Sequence, residues 1–171
     1  RWRLKNEHVG VSTLVIGPKY VYVPAGSQNR VVALSRKNGK EVWSYKTTDC
    51  AFGENALCGD TLVCSVFYGP KTTTVHALNA LTGAKLWARE TGGYAAAADL
   101  SIARAGTQQP VVWASAGGHL ICFDLKTGAT LADYTNPKHF EAHSAIGSSV
   151  GRCNEVQNSV RHSCRRVETS S

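Results

Sequence analysis

Residues 30–43 read Arg30-Val31-Val32-Ala33-Leu34-Ser35-Arg36-Lys37-Asn38-Gly39-Lys40-Glu41-Val42-Trp43. An apolar run of β-branched character leads into Asn38-Gly39, and a second apolar-patterned run opens at Glu41. Asn-Gly between two such runs is a strong hairpin signal, because both residues tolerate positive φ and a primed two-residue turn matches the twist of its strands. The stretch therefore predicts a β-hairpin with its tight turn centred on Asn38-Gly39.

The same sentence recurs as Val75-His76-Ala77-Leu78-Asn79-Ala80-Leu81-Thr82-Gly83-Ala84-Lys85-Leu86-Trp87 and again from Leu120 to Ala132. Trp43 and Trp87 lie 44 residues apart, Trp87 and Ala132 45, and Trp2 stands 41 before Trp43. A period of about 40–50 residues made of short strands is the pattern of a β-propeller, in which each repeat is one four-stranded antiparallel blade.

Laid out in order, the first lap gives strands over 11–16, 20–25, 30–36 and 41–46. The second gives 56–58, 61–68, 73–80 and 85–90, and the third 95–105, 110–116, 119–126 and 130–134. A fourth opens at His143 without a second strand to follow. The expected fold is all-β: three complete blades and part of a fourth, over residues 1–150. Residues 151–171 are polar and without period, which predicts a disordered tail. The chain begins inside what reads as the last strand of a blade and holds no methionine, so it is expected to be a fragment of a longer polypeptide, with a processed product as the alternative.

Bulk composition narrows function. With 43% hydrophobic and 18% charged residues the chain is of globular composition. No apolar run approaches the roughly 20 residues of a membrane-spanning helix. The net charge of +7 is concentrated in residues 1–50, where nine Lys and Arg face three acids. Its densest cluster, Arg36-Lys37-x-x-Lys40, sits on a hairpin tip, where charge is ordinary solvation; a nucleic-acid partner is not expected, since that would need basic residues interleaved with aromatics on one face. Six cysteines (Cys50, Cys58, Cys64, Cys122, Cys153, Cys164) permit disulfides without requiring them. Cys58, Cys64 and Cys122 stand in apolar strands and read as small buried hydrophobes. Nothing in the sequence selects a compartment.

The repeats also carry a resemblance. Ala33-x-Ser35-x-x-Asn38-Gly39-Lys40-x-x-Trp43, Ala77-x-Asn79-x-x-Thr82-Gly83-x-x-x-Trp87 and Cys122-x-Asp124-x-x-Thr127-Gly128 resemble the docking motif of quinoprotein-like propellers, the pyrroloquinoline quinone repeat. The resemblance spans residues 2–150. It implies that Trp2, Trp43 and Trp87 join neighbouring blades and that Gly39, Gly83 and Gly128 shape the turns they meet. Ala132 departs from the pattern, and a weaker contact is expected there.

The family includes dehydrogenases that use pyrroloquinoline quinone with calcium and non-catalytic propellers such as the bacterial outer-membrane assembly lipoprotein. The dehydrogenases carry a vicinal cysteine pair near the cofactor, and this sequence has no adjacent cysteines. Glu54 and Asn55, at the start of an innermost strand, and His143 are the channel-facing binding candidates. Two oxygen-bearing side chains fall short of the six to eight ligands that calcium takes. His139-Phe140-Glu141-Ala142-His143 lacks a helix to align its imidazoles, and Cys153 with His162-Ser163-Cys164 has no zinc spacing.

The expected function is thus a non-catalytic binding or scaffolding surface whose partner is another protein or the remaining blades, with no cofactor. The alternative is a piece of a dehydrogenase whose pyrroloquinoline quinone and calcium ligands lie mainly elsewhere. Three blades are too few to close a ring by the usual four to eight, so open sheet edges are expected near Trp2 and His143. Residues 1–171 alone should self-associate, whereas a longer chain should be monomeric; light scattering on both measures this, and a cooperative monomer from the shorter one would contradict it.

Overall fold

A computed structural model describes residues 13–25, 29–48, 51–68, 72–91, 99–104, 109–116 and 118–135. Trp2, His143, the 139–143 cluster, Cys50, Cys153, Cys164, the opening of the fourth lap and the polar tail lie outside them. The described residues form twelve strands and no helix: β1 (Val15–Ile16), β2 (Tyr20–Ala25), β3 (Arg30–Ser35), β4 (Glu41–Lys46), β5 (Ala51–Cys58), β6 (Thr61–Tyr68), β7 (Thr72–Asn79), β8 (Lys85–Glu90), β9 (Asp99–Ala103), β10 (Val111–Ala116), β11 (His119–Asp124) and β12 (Thr130–Thr135). They pair in chain order into three four-stranded antiparallel sheets, β1 to β4, β5 to β8 and β9 to β12. These are the three expected blades. The fifth strand begins five residues earlier than its apolar pattern suggests, because Gly53 and Glu54 fall in an irregularity that hides its period.

The turn that decides the hairpin differs from expectation. Asn38 does not take positive φ; only Gly39 does, at 71°. Ser35 donates its N–H to the Lys40 carbonyl and accepts from the Gly39 N–H, both at 2.8 Å. Four residues are therefore spanned, not two. The same pair of bonds recurs at Asn79, Ala84 and Gly83, and at Asp124, Ala129 and Gly128. The motif's polar residues close this wider loop from within. Asp124 Oδ1 accepts from the Thr127 N–H and hydroxyl, both at 2.7 Å, and Asn79 Oδ1 accepts from the Leu81 and Thr82 N–H groups. The Thr127 hydroxyl and N–H also hold the Asp124 carboxyl below its usual range.

Just past each turn the outer strand carries a bulge, so that Val42, Leu86 and Leu131 are each skipped in the pairing. The extra residue sets the parity of the next one. Trp43 pairs with Ala33, Trp87 with Ala77 and Ala132 with Cys122. Both indoles then point at the following sheet. A Cβ placed on Gly83 would lie 2.6 Å from Trp43 Cε3, and one on Gly128 would lie 2.6 Å from Trp87 Cδ2. The glycine is needed twice over, for its φ and for the room the ring occupies. Each indole N–H finishes the contact on the backbone carbonyl three residues before that glycine: Trp43 Nε1 on Ala80 O at 3.1 Å and Trp87 Nε1 on Leu125 O at 2.9 Å.

Two cores follow from this docking. One joins Tyr22, Val31 and Ala33 of the first blade to Phe52, Leu62, Cys64, Val66 and Leu78 of the second. The other joins Val63, Val75, Ala77 and Trp87 to Leu100, Val112, Ala114, Ile121 and Phe123 of the third. Cys64 and Cys122 are buried in strands, as their contexts suggest, and burial pushes both thiols up.

Emptying a buried aromatic site costs about 3–5 kcal/mol. Trp87→Ala is expected to lose that much in denaturant unfolding, and Trp43→Ala less, because Trp43 is only half-buried. Gly83→Ala and Gly128→Ala are expected to destabilise as well; melting midpoints within about a degree of the parent for all four would exclude the docking role.

Candidate functional site

At the start of β5 the chain must fit a buried strand against two neighbours. Phe52 is buried and meets the Tyr45 ring edge-on, with centroids 6.1 Å apart. Gly53 follows because a Cβ there would fall 2.6 Å from both Phe67 Cζ and Ser65 Oγ. Pairing with β6 slips between Phe52 and Asn55, and the Glu54 N–H left over by the slip is taken by Ser65 Oγ at 2.9 Å. This bulge presents Glu54 and Asn55 at the end of the sheets where the first strands of successive blades approach, β1 to β5 and β5 to β9.

Glu54 faces Asp99 of the third blade. Burial first, then repulsion from Asp99, push its carboxyl above the usual range, while hydrogen bonds from the Leu100 backbone and the Thr13 side chain pull the other way. Asn55 is 6% exposed. Its Nδ2 donates to Thr13 O at 3.5 Å, and its Oδ1 is buried without a hydrogen-bond partner among the described residues. Glu54 and Asn55 are thus placed beside Asp99 of the third blade and Thr13 ahead of β1. His143 lies outside the described residues. Among the described residues no group of three or more His, Cys, Asp or Glu side chains is placed to hold a metal.

A second polar cluster lies between the first two blades. His76 is 4% exposed; Tyr45 Oη lies 3.0 Å from its Nδ1 and Thr74 Oγ1 2.9 Å from its Nε2. Burial, with the nearby Lys85, lowers its pKa to about 4. An imidazole bonded on both nitrogens and held neutral is a packing element. In the repeat it occupies the slot of Val32 and Ile121, so the sequence signal was a polar residue in an otherwise apolar column. Tyr22 plays a related part: its hydroxyl donates to the same Ala80 carbonyl as Trp43, at 3.0 Å, and burial holds its pKa at about 12.

Comparison with known proteins gives these features a family. The sequence matches, over residues 1–161, the family model described as outer membrane protein assembly factor BamB. The chain belongs to this family of pyrroloquinoline quinone repeat propellers. No curated protein matches its sequence. Among solved structures it is similar to quinohemoprotein alcohol dehydrogenase from Comamonas testosteroni, at a TM-score of 0.60 and 15% identity over 71% of this chain. It is similar to BamB from Moraxella catarrhalis, at 0.54 and 19% over 76%, and to the computationally designed Ika4 protein, at 0.58 and 18% over 77%. The chain spans 26% of the dehydrogenase, 41% of the Moraxella protein and 76% of the designed one. At these identities the likeness is one of fold, and the fold is that of a partial β-propeller.

The His76 pKa sets an acid dependence. The folded value lies below the ordinary 6.5, so the unfolded chain takes up the proton first as pH falls. The stabilisation is complete above about 6.5 and is lost progressively down to about 4, up to about 3 kcal/mol. Urea unfolding across that range should show this slope, and His76→Gln should flatten it; an unchanged slope would contradict the assignment.

Proposed function

We propose that this chain is a non-catalytic propeller segment that serves as a protein-binding scaffold. The observation that carries the reading is the outer rim. In each blade the skipped bulge residue is a large aliphatic left open to solvent: Val42 at 47%, Leu86 at 49% and Leu131 at 57% exposed. Three equivalent positions on the fourth strands of successive sheets each leave an aliphatic side chain exposed, and a protein partner laid across the blades would bury them. The family match to an outer membrane protein assembly factor supports the same reading. So does the use of the polar side chains between the first two blades, since His76 with Tyr45, and Tyr22 with the Ala80 carbonyl, are committed to joining them.

A second reading, a piece of a quinoprotein dehydrogenase, draws on Glu54, Asp99 and the unpartnered Asn55 Oδ1. These are hard oxygen donors of the type calcium takes, and a cation there would offset the repulsion that raises the Glu54 pKa. They fit such an ion in kind and fall short in number, and the sequence has no adjacent cysteines to accompany the quinone. The scaffold reading therefore takes precedence.

Calorimetric titration of the purified chain with pyrroloquinoline quinone and calcium separates the two. No complex of micromolar or tighter affinity is expected. A stoichiometric complex lost in Glu54→Gln would replace the scaffold with the dehydrogenase reading.

A further inference from the structure

One row of side chains crosses each blade on the face turned to the next. In the first blade the row is Val15, Tyr22, Ala33 and Trp43, and in the second Ala56, Val63, Ala77 and Trp87. In the third it is Ser101, Trp113, Cys122 and Ala132. The alternating residues of that blade, Leu100, Val112, Ala114, Ile121 and Phe123, pack back against the second. Trp113 therefore faces away from it.

The aromatic load of the row moves between strands. The first blade has an aromatic on both its second and fourth strands, and the Tyr22 hydroxyl and Trp43 Nε1 reach one carbonyl, Ala80 O, in the next sheet. The second blade has only the fourth-strand Trp87, with Val63 beside it. The third has Ala132 on the fourth strand and an indole, Trp113, on the second. Tyr22 shows that a second-strand aromatic with a polar tip reaches the neighbour's docking carbonyl in this fold. Trp113 stacks on Tyr134, with ring centroids 6.3 Å and planes 20° apart. Tyr134 is 61% exposed and Leu120, beside it on the same face, 37%. An open face of this kind, continuous with two interfaces of one geometry, is suited to a further sheet of the same repeat.

We propose that Trp113 is the docking group of the third blade, taking over from the missing fourth-strand tryptophan, and that its seat is a further blade of this repeat. That blade would present a glycine at positive φ and, ahead of it, a backbone carbonyl to accept from the indole N–H. The assignment does not depend on whether the propeller binds a protein or a cofactor.

The test compares the full 171-residue chain with the same chain extended at its C-terminus by a second copy of residues 51–91. That repeat already seats Tyr22 and Trp43. Both proteins carry 5-fluorotryptophan, and Trp113→Phe identifies the Trp113 fluorine resonance. In the extended protein its response to replacing H2O by D2O is expected to fall to that of the buried Trp87. Trp113→Ala should lower the melting midpoint of the extended protein by more than that of the parent. A Trp113 signal equally responsive in both proteins, or an equal loss of midpoint, overturns the proposal. Protection already present in the parent, rising with concentration alongside a dimer in light scattering, would assign the face to a second copy and overturn it as well.

Discussion

A tryptophan ring lying on the glycine of the next sheet is the contact on which this chain depends. It answers a demand that four-stranded sheets cannot meet alone, since each has two broad faces and too few residues to cover either. The bulge ahead of Trp43 and Trp87 aims the ring, the glycine clears its place and the carbonyl of Ala80 or Leu125 takes its N–H. Remove any of these and the others lose their purpose. That interdependence explains why turn, bulge and indole occur together in the first two blades, while the third keeps the turn and the bulge with Ala132 in the place of the indole.

The parts of the fold legible in the sequence are those whose causes are local. Thr82-Gly83 and Thr127-Gly128 mark their loops because each loop is closed by its own side chains and one residue at positive φ. Asn38-Gly39 marked the hairpin correctly and the turn incorrectly: Asn38 stands in the threonine position of the other repeats, with Oδ1 accepting from the Lys40 N–H, so it caps a wider loop. Ala132 was visible as a departure. What replaces it was not, because Trp113 lies two strands away and shares a row with Ala132 only through the register of β10, β11 and β12.

The site at the converging strands was legible only in part, for the same reason. Glu54 and Asn55 stand out beside a glycine at the opening of a strand. Asp99 belongs to another blade and reads locally as an ordinary strand residue, yet it is one of the groups that perturb Glu54. Thr13 precedes the first described strand and carries no motif. Their proximity is a product of stacking three sheets, which no window of sequence contains. His76 lay between these extremes: its column in the repeat is apolar, but the partners that satisfy it, Tyr45 and Thr74, follow from packing.

The two cores have a mechanical corollary. Each joins a blade only to the next, and none of the described residues of the first blade shares a core with the third. Interactions in such an array add along one dimension. Under tension applied through its ends, the described part of the chain would yield as a series of links and not as a single body. The first link to part would be the weaker of two seams, one held by Tyr22 and Trp43 on a shared carbonyl, the other by Trp87 with Arg89 clasping the Gly128 and Thr127 carbonyls.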